Sequence, residues 1–326
     1  MRAMQLDGPG GKLQLVDVPI PLPAPGEVLV AVSACGVCRT DLHVVDGDIS
    51  DGKYPVIPGH QIVGRVVESE VATLPVGQRV GIPWLGYTCG QCEFCAAGME
   101  NLCDAAQFTG YQRQGGYAEF VAADARFCFV LPDSYPDLQA APLLCAGLIG
   151  YRALRMTQGA RKLGFYGFGN AAHILTQIAR HEGREVYALT REGDLATQEF
   201  ALGLGARWAG DITQPLPVAL DGAIIFAPAG ELVPLALRSV RKGGCVICAG
   251  IHMTDIPSFP YADLWGERSL KSVANLTRED GLQLLQVAPQ VPVRTQVSEY
   301  SLADLPVALA DLRDGRIEGA AVITLQ

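Results

Sequence analysis

Cys89, Cys92, Cys95 and Cys103 stand in "CGQCEFCAAGMENLC" at C-x2-C-x2-C-x7-C spacing. Four thiolates brought together by such short spacers can close a tetrahedral shell around zinc with no open position, as a structural site requires. An iron–sulfur cluster is the alternative, because ferredoxins also use close C-x2-C-x2-C runs. A second set of donors is dispersed: "CGVCRTDLH" at 35–43, His60 in "PGHQIVG", and Cys145 in "PLLCAGLIGYRAL". Two cysteines and a histidine would hold zinc with a fourth position left for water or substrate. Taken singly, His60 reads equally well as an ordinary half-buried histidine and Cys145 as a core cysteine. Within 35–43, Cys35 and Cys38 have equal standing.

A third pattern is "GFGNAAH", in which Gly167, Gly169 and Ala172 form G-x-G-x-x-A. It follows the apolar run "KLGFY" and precedes a stretch whose Ala171, Ile174, Leu175 and Ile178 share one helical face. In a strand–turn–helix of this kind the first glycine makes the turn and the second admits a pyrophosphate. The small third residue packs helix on strand, and phosphate charge meets the helix N-terminus. The next apolar run ends in Thr190 and Arg191, where an acidic residue would bind a ribose 2′-hydroxyl and an arginine a 2′-phosphate. The absence of a carboxylate at Thr190 favours NADP over NAD; Glu192 turned inward would restore NAD.

Elements of two kinds must position these groups. Up to about residue 145, short β-branched runs ("EVLVAVSA", "QIVGRVVE", "RVGIPW", "YAEFVAA") alternate with Gly/Pro-rich breaks, which reads as an all-β region. Beyond it "KLGFYG", "REVYALT", "DGAIIFA" and "GCVICAG" alternate with helical stretches, the signature of a parallel sheet with helical crossovers. From about 277, two helical patterns and a final "AAVITL" strand could return to the first domain. The fold class is therefore α/β, with a β-rich domain over 1–146 and 277–326 and a doubly wound dinucleotide domain over 147–276. A net charge of -9 argues against nucleic-acid or anionic-membrane partners. No apolar run reaches spanning length, and "MRAMQLDGPGGKL" has no leader-like core, so the cytoplasm is the expected compartment. Ten cysteines in 326 residues are too sparse for a disulfide scaffold and, clustered, suit metal binding.

Taken together these motifs resemble the zinc-dependent medium-chain alcohol dehydrogenases. The resemblance runs from "PGEVLV" through "GHQIVGRVVE", the four-cysteine lobe, "GGYAEF" and "PLLCAGL" to the cofactor motif. It implies a GroES-like β-rich catalytic domain, a Rossmann cofactor domain, NAD(P), and two zinc ions per chain. The catalytic zinc ligands would be Cys38, His60 and Cys145, with Cys35 merely packed. Thr40 would take the alcohol's proton, and His43 would pass it on through the nicotinamide ribose. Asp41 would orient His60, and Arg39 would face the pyrophosphate. Trp84 matches a pocket tryptophan that favours slender primary alcohols and aldehydes; as a plain core aromatic it would have no such role. Family members are commonly homodimers or homotetramers.

The chain departs from the family pattern at three positions. Gln61 replaces the glutamate that follows the zinc histidine, keeping an oxygen donor near the metal but losing its charge. Ile149 stands where relatives often carry threonine, and Ala320 where an arginine reaches the cofactor phosphate, a role Arg316 or Arg278 could take over. The resulting expectation is hydride transfer between a small alcohol or aldehyde and NAD(P). A quinone or enoyl reductase of the same superfamily, or a non-catalytic NADP-binding zinc protein, are the rival readings. Cys128, Cys245 and Cys248 read as core, and His173 as a residue that packs or caps locally.

Overall fold

In the computed structural model, which describes residues 1–49 and 51–325, the β-branched runs and the strand–helix alternation resolve into two units. One comprises Met1–Cys145, Leu276–Pro289 and Arg294–Gln326; the other comprises Ala146–Asn275 and Gln290–Val293.

The first unit is built on a seven-stranded sheet. Its path runs Val297–Ser301, Ala320–Thr324, Glu27–Val37, Gln61–Ser69, Arg79–Ile82, Phe129–Val130, with Phe120–Asp124 also paired to Glu27–Val37. The C-terminal strand Ala320–Thr324 thus lies beside the N-terminal Glu27–Val37, antiparallel, with Val322 opposite Gly36. Val28, Val30, Ile62, Val80 and Ile323 are almost wholly buried in the core of this unit, each such side chain contributing about 1.5–3 kcal/mol by leaving water.

The all-β expectation for residues 1–145 fails at one functionally important place. Arg39–Asp46 is an α-helix, started by a reciprocal capping box: Cys38 Sγ accepts from the Thr40 amide, and the Asp41 carboxylate accepts from the Cys38 amide. Eight residues of mixed polarity carry too little periodicity to announce a helix. The cap chemistry, with an aspartate three residues after the cap, does.

The second unit is a six-stranded, all-parallel sheet in the order Trp208–Asp211, Glu185–Thr190, Lys162–Tyr166, Leu220–Ile225, Val240–Cys248, Ser269–Ser272. The order reverses beside Lys162–Tyr166, the first strand of the sheet, which is where doubly wound folds bind ligands. Leu163 and Phe165 are fully buried, as expected for a strand covered on both faces. The helix Asn170–His181 follows that strand and buries Ile174, Leu175 and Ile178 completely.

Candidate active site

Three chain segments bring Cys38, His60 and Cys145 together. Cys38 follows the strand Glu27–Val37 and caps the helix Arg39–Asp46. His60 precedes the strand Gln61–Ser69, and Cys145 follows the 3-10 turn Ala141–Leu144. Cys38 Sγ lies 3.2 Å from His60 Nε2 and 3.8 Å from Cys145 Sγ, and the three donor atoms all lie within 4.8 Å of one another. A tetrahedral zinc with Zn–S bonds of about 2.3 Å sets sulfurs about 3.8 Å apart, so the donor set fits that ion. It also leaves one coordination position unfilled by these three.

The electrostatics agree with a metal site. The Cys38 thiol is pulled well below its ordinary range by the hydrogen bond it shares with Cys145 and by His60 beside it, against the effect of burial, and it sits at a helix N-terminus. Burial opposes a charge on His60, yet the Cys38 thiolate and the Asp41 carboxylate outweigh it and push the imidazole up to about 10. Asp41, 1% exposed, sets Oδ1 at 3.3 Å from His60 Nδ1 and accepts from the Cys38 amide through Oδ2. A carboxylate on the ring nitrogen remote from a metal fixes the ligand's tautomer and orientation. Cys35 is different in kind: burial holds its thiol well above the ordinary range, and its Sγ packs against Gly59 and Gly116.

Around this cluster the helix Arg39–Asp46 arranges further polar groups. Thr40 is buried and His43 half-buried, three residues apart and so on one helical face. Gly47 ends the helix in the left-handed conformation, φ 81°, and turns Asp48 back so that its Oδ2 lies 2.8 Å from His43 Nδ1. Sequence reasoning missed Asp48; only the αL stop at Gly47 brings it back to the helix. Arg39 is exposed at the first helical position.

Trp84 lies with its ring edge-on to His60, centroids 4.9 Å apart, and stacks on Phe108 at 5.1 Å and Tyr111 at 6.0 Å. It is both a core aromatic and a wall of the donor cluster. Phe108 and Tyr111, which extend that wall, carried no signal of their own. Gln61 is 1% exposed, and neither atom of its amide has a hydrogen-bond partner among the described residues. A Cβ on Gly36, opposite it across the sheet, would come 2.7 Å from Gln61 Oε1, so the glycine makes room for that amide.

Cys89, Cys92, Cys95 and Cys103 converge on a separate lobe. Cys89 Sγ lies 3.9 Å from Cys95 Sγ and 3.6 Å from Cys103 Sγ, and all four sulfurs fall within 4.8 Å of one another. The Cys92 amide donates to Cys89 Sγ and the Cys89 amide to Cys103 Sγ, each at 3.4 Å. Amides of Gln91 and Cys92 pull the Cys89 thiol down to about 6. Four donors at tetrahedral edge lengths fit zinc with no open position.

In the second unit, Gly167 has φ 89° and its amide donates to Leu189 O at 2.9 Å. Gly169 caps the helix Asn170–His181 without a side-chain hydrogen bond, and a Cβ there would meet nothing within 4 Å. The open approach and uncapped helix N-terminus suit a pyrophosphate. Ala172 is fully buried at the packing position. His173 packs but does not cap: it is 1% exposed, burial alone pulls it down to about 4, and its ring nitrogens have no hydrogen-bond partner among the described residues. Thr190 is buried at the end of Glu185–Thr190, its one hydroxyl proton within reach of either Arg191 O (3.2 Å) or Gly210 O (3.4 Å) and its Oγ1 accepting from Gln198, while Arg191 is exposed. Arg278 pairs with Glu100, and Arg316 with Asp311 and Asp314.

Residues 24–133 match the alcohol dehydrogenase GroES-like domain. The chain is 46% identical, over 100% of its length and 97% of the relative's, to the probable alcohol dehydrogenase AdhA of Mycobacterium tuberculosis (strain CDC 1551 / Oshkosh). Among solved structures, a cinnamyl alcohol dehydrogenase of Sorghum bicolor superposes with a TM-score of 0.91 at 25% identity, covering 99% of this chain and 97% of that one. The acetophenone reductase of Geotrichum candidum, in complex with NAD, superposes with a TM-score of 0.88 at 26% identity, covering 99% and 97%. With its GroES-like sheet, its parallel dinucleotide sheet and its full-length likeness to these enzymes, the chain belongs to the zinc-type medium-chain alcohol dehydrogenase family.

Proposed function

We propose that this NAD(P)-dependent alcohol dehydrogenase binds two zinc ions per chain, one on Cys38, His60 and Cys145 and one on Cys89, Cys92, Cys95 and Cys103. It would use the first to interconvert small, mainly primary, alcohols and aldehydes. The observation that carries the reading is the buried three-donor cluster with Asp41 bracing its histidine. Zinc there supplies a Lewis acid that makes a bound alcohol acidic, and NAD(P) supplies the hydride acceptor.

The chain's residues handle the proton. Thr40 Oγ1 would receive it from the alcohol, and His43 would pass it onward through the nicotinamide ribose. Asp48 Oδ2 lies 2.8 Å from His43 Nδ1, so a carboxylate stands behind the imidazole that would take up the proton. Exposure increases along this path, from Thr40 to His43 to Asp48, so it ends at solvent. Trp84, with Phe108 and Tyr111 behind it, limits the width of the substrate.

Gly167, Gly169 and Ala172 would seat the pyrophosphate. The strand end at Thr190 offers no carboxylate to repel a 2′-phosphate, and Arg191 is exposed and available to pair with one, which supports NADP over NAD. Gln61 supplies a neutral oxygen beside the metal ligand, so zinc is retained but its exchange and pH response change. A zinc content below one half per catalytic site in the purified protein would sink this last claim.

Among the described residues Ser269–Ser272 has a partner strand on one side only, and Tyr261 and Trp265 are 72% and 59% exposed, which supports assembly as a homodimer or homotetramer. No helix among the described residues is long and apolar enough to cross a membrane, in keeping with a cytoplasmic enzyme. The deciding experiment is a cofactor swap, NAD against NADP, on a mixed panel of alcohols with zinc content measured in parallel. Alcohol-dependent NADPH formation is expected; a strong NAD preference would overturn the Thr190–Arg191 argument. No turnover with either cofactor while both zincs are bound would overturn the enzyme reading.

A further inference from the structure

Strand pairing sets Asp211 opposite Thr190, so the strand end that lacks a carboxylate of its own has one on the strand beside it. Asp211 Oδ1 accepts from the Gly193 amide at 3.1 Å and from Gln198 Nε2 at 2.7 Å. The same Gln198 nitrogen donates to Thr190 Oγ1 at 3.0 Å. A carboxylate oxygen only accepts, so the glutamine must present its nitrogen here. After Thr190 the chain turns through Arg191, Glu192, Gly193 and Asp194, with the Asp194 amide donating to Arg191 O at 3.3 Å. Gly193 takes φ 74°, in the left-handed region that glycine enters without strain. Asp194 then caps the helix Leu195–Gly203, accepting from the Thr197 amide at 3.1 Å.

The turn is thus fastened twice, by its helix cap and by a carboxylate from the neighbouring strand, and it leaves Arg191 exposed. Binding costs less when the backbone that presents a long side chain is already ordered. We propose that Asp211 is a positioning residue for cofactor choice. By anchoring the Arg191–Asp194 turn through Gly193 and Gln198, it holds Arg191 at the strand end that reads the ribose 2′ position. This rests on reading Thr190 and Arg191 as an NADP-selecting strand end. The charge of Asp211 would by itself repel a 2′-phosphate. Anchoring and repulsion therefore predict opposite effects of removing the carboxylate.

The test is equilibrium binding of NADP and NAD, read by calorimetric titration with no alcohol present. Adenosine 2′,5′-bisphosphate against AMP isolates the 2′-phosphate in the same way. Asp211→Ala should weaken NADP about tenfold, the lower end of what a hydrogen bond to a charged group is worth. NAD binding should hardly change. Asp211→Asn keeps an oxygen that can accept from Gly193 and Gln198 while losing the charge, and should keep the wild-type ratio. Tighter NADP binding by either variant would show that the carboxylate acts by repulsion and would overturn the proposal. In an Arg191→Ala background, Asp211→Ala should weaken NADP no further. Additive losses would mean that Asp211 does not act through Arg191, and the proposal would fall. Equal weakening of both cofactors, with lower thermal stability, assigns Asp211 to the sheet alone and also overturns it. If the wild type prefers NADP and Asp211→Ala keeps that preference in full, this proposal fails by itself. A wild-type chain that binds NAD at least as tightly as NADP overturns the Thr190–Arg191 reading, and this proposal with it.

Discussion

The two clusters hold cysteine sulfurs at similar spacings, 3.8 Å in one and 3.6 to 3.9 Å in the other, yet they are built in opposite ways. Cys89, Cys92, Cys95 and Cys103 are neighbours in sequence, on a surface lobe, and their sulfurs are held by amides of their own loop. Cys38, His60 and Cys145 come from three distant segments, around a histidine that is 1% exposed, and are held by Asp41. The local cluster needs little beneath it, whereas the dispersed one exists only if the sheet is correctly formed. A closed shell of four donors can only hold the fold together. A set of three, with a helix of polar groups beside it, can work on a substrate.

The sharpest way to break this contrast is to remove one sulfur from each cluster. Cys38→Ser should lower kcat/KM by at least about 10³-fold, since Lewis-acid stabilisation is worth several kcal/mol. Cys35→Ser, three residues away, should leave most activity. Steady-state NAD(P)H formation measures both, and equal losses would mean the pair had been divided wrongly. Cys95→Ser should instead leave one zinc per chain with turnover largely intact at low temperature. Thermal unfolding would drop by about 10 °C, the shift that roughly 4 kcal/mol produces in a chain of this size. If Cys95→Ser abolished turnover at a temperature where it stays folded, the division of labour would be lost.

A smaller effect separates the two buried histidines. His60 is raised to about 10 by charged neighbours and His173 lowered to about 4 by burial alone, though each is 1% exposed. For His173 the unfolded chain takes up a proton near pH 6.5, whereas the folded chain resists until about pH 4. Its contribution is therefore present above pH 6.5 and lost as pH falls toward 4, by about 3 kcal/mol. Urea unfolding of His173→Leu should show a flatter pH dependence over that window; an unchanged slope would mean His173 has a partner in solution. The smallest effect is expected at Asp41→Asn, which should cost the three-donor zinc about 10–100-fold in affinity and leave the four-cysteine zinc alone. Chelator competition resolves the two ions, and equal losses from both would undo the contrast.

Much of this was legible in the residues. Close C-x2-C spacing marks a site whatever surrounds it, and G-x-G-x-x-A between an apolar run and an amphipathic stretch marks a dinucleotide turn. The strand–helix alternation and the parallel sheet followed from period alone. The helix at Arg39–Asp46 was hidden, because its eight residues lie within a β-rich region and only the Cys38–Asp41 cap betrays it. Asp48 was hidden behind a left-handed turn, and Phe108 and Tyr111 behind a long loop.

By itself the sequence determined the inventory: seven cysteines and histidines in two donor sets, a phosphate turn, and a strand end without a carboxylate. Those signals are local, carried by residue type and short spacing. Tertiary structure decided which cysteine of "CGVCRTDLH" faces His60 and Cys145 and which is packed away, because strand pairing and a helix cap orient the two side chains differently. It also decided that Asp41 faces His60 and that Asp48 meets His43. Those are contacts between residues far apart in sequence or turned back on themselves, and only packing of the folded sheet brings them within hydrogen-bonding reach.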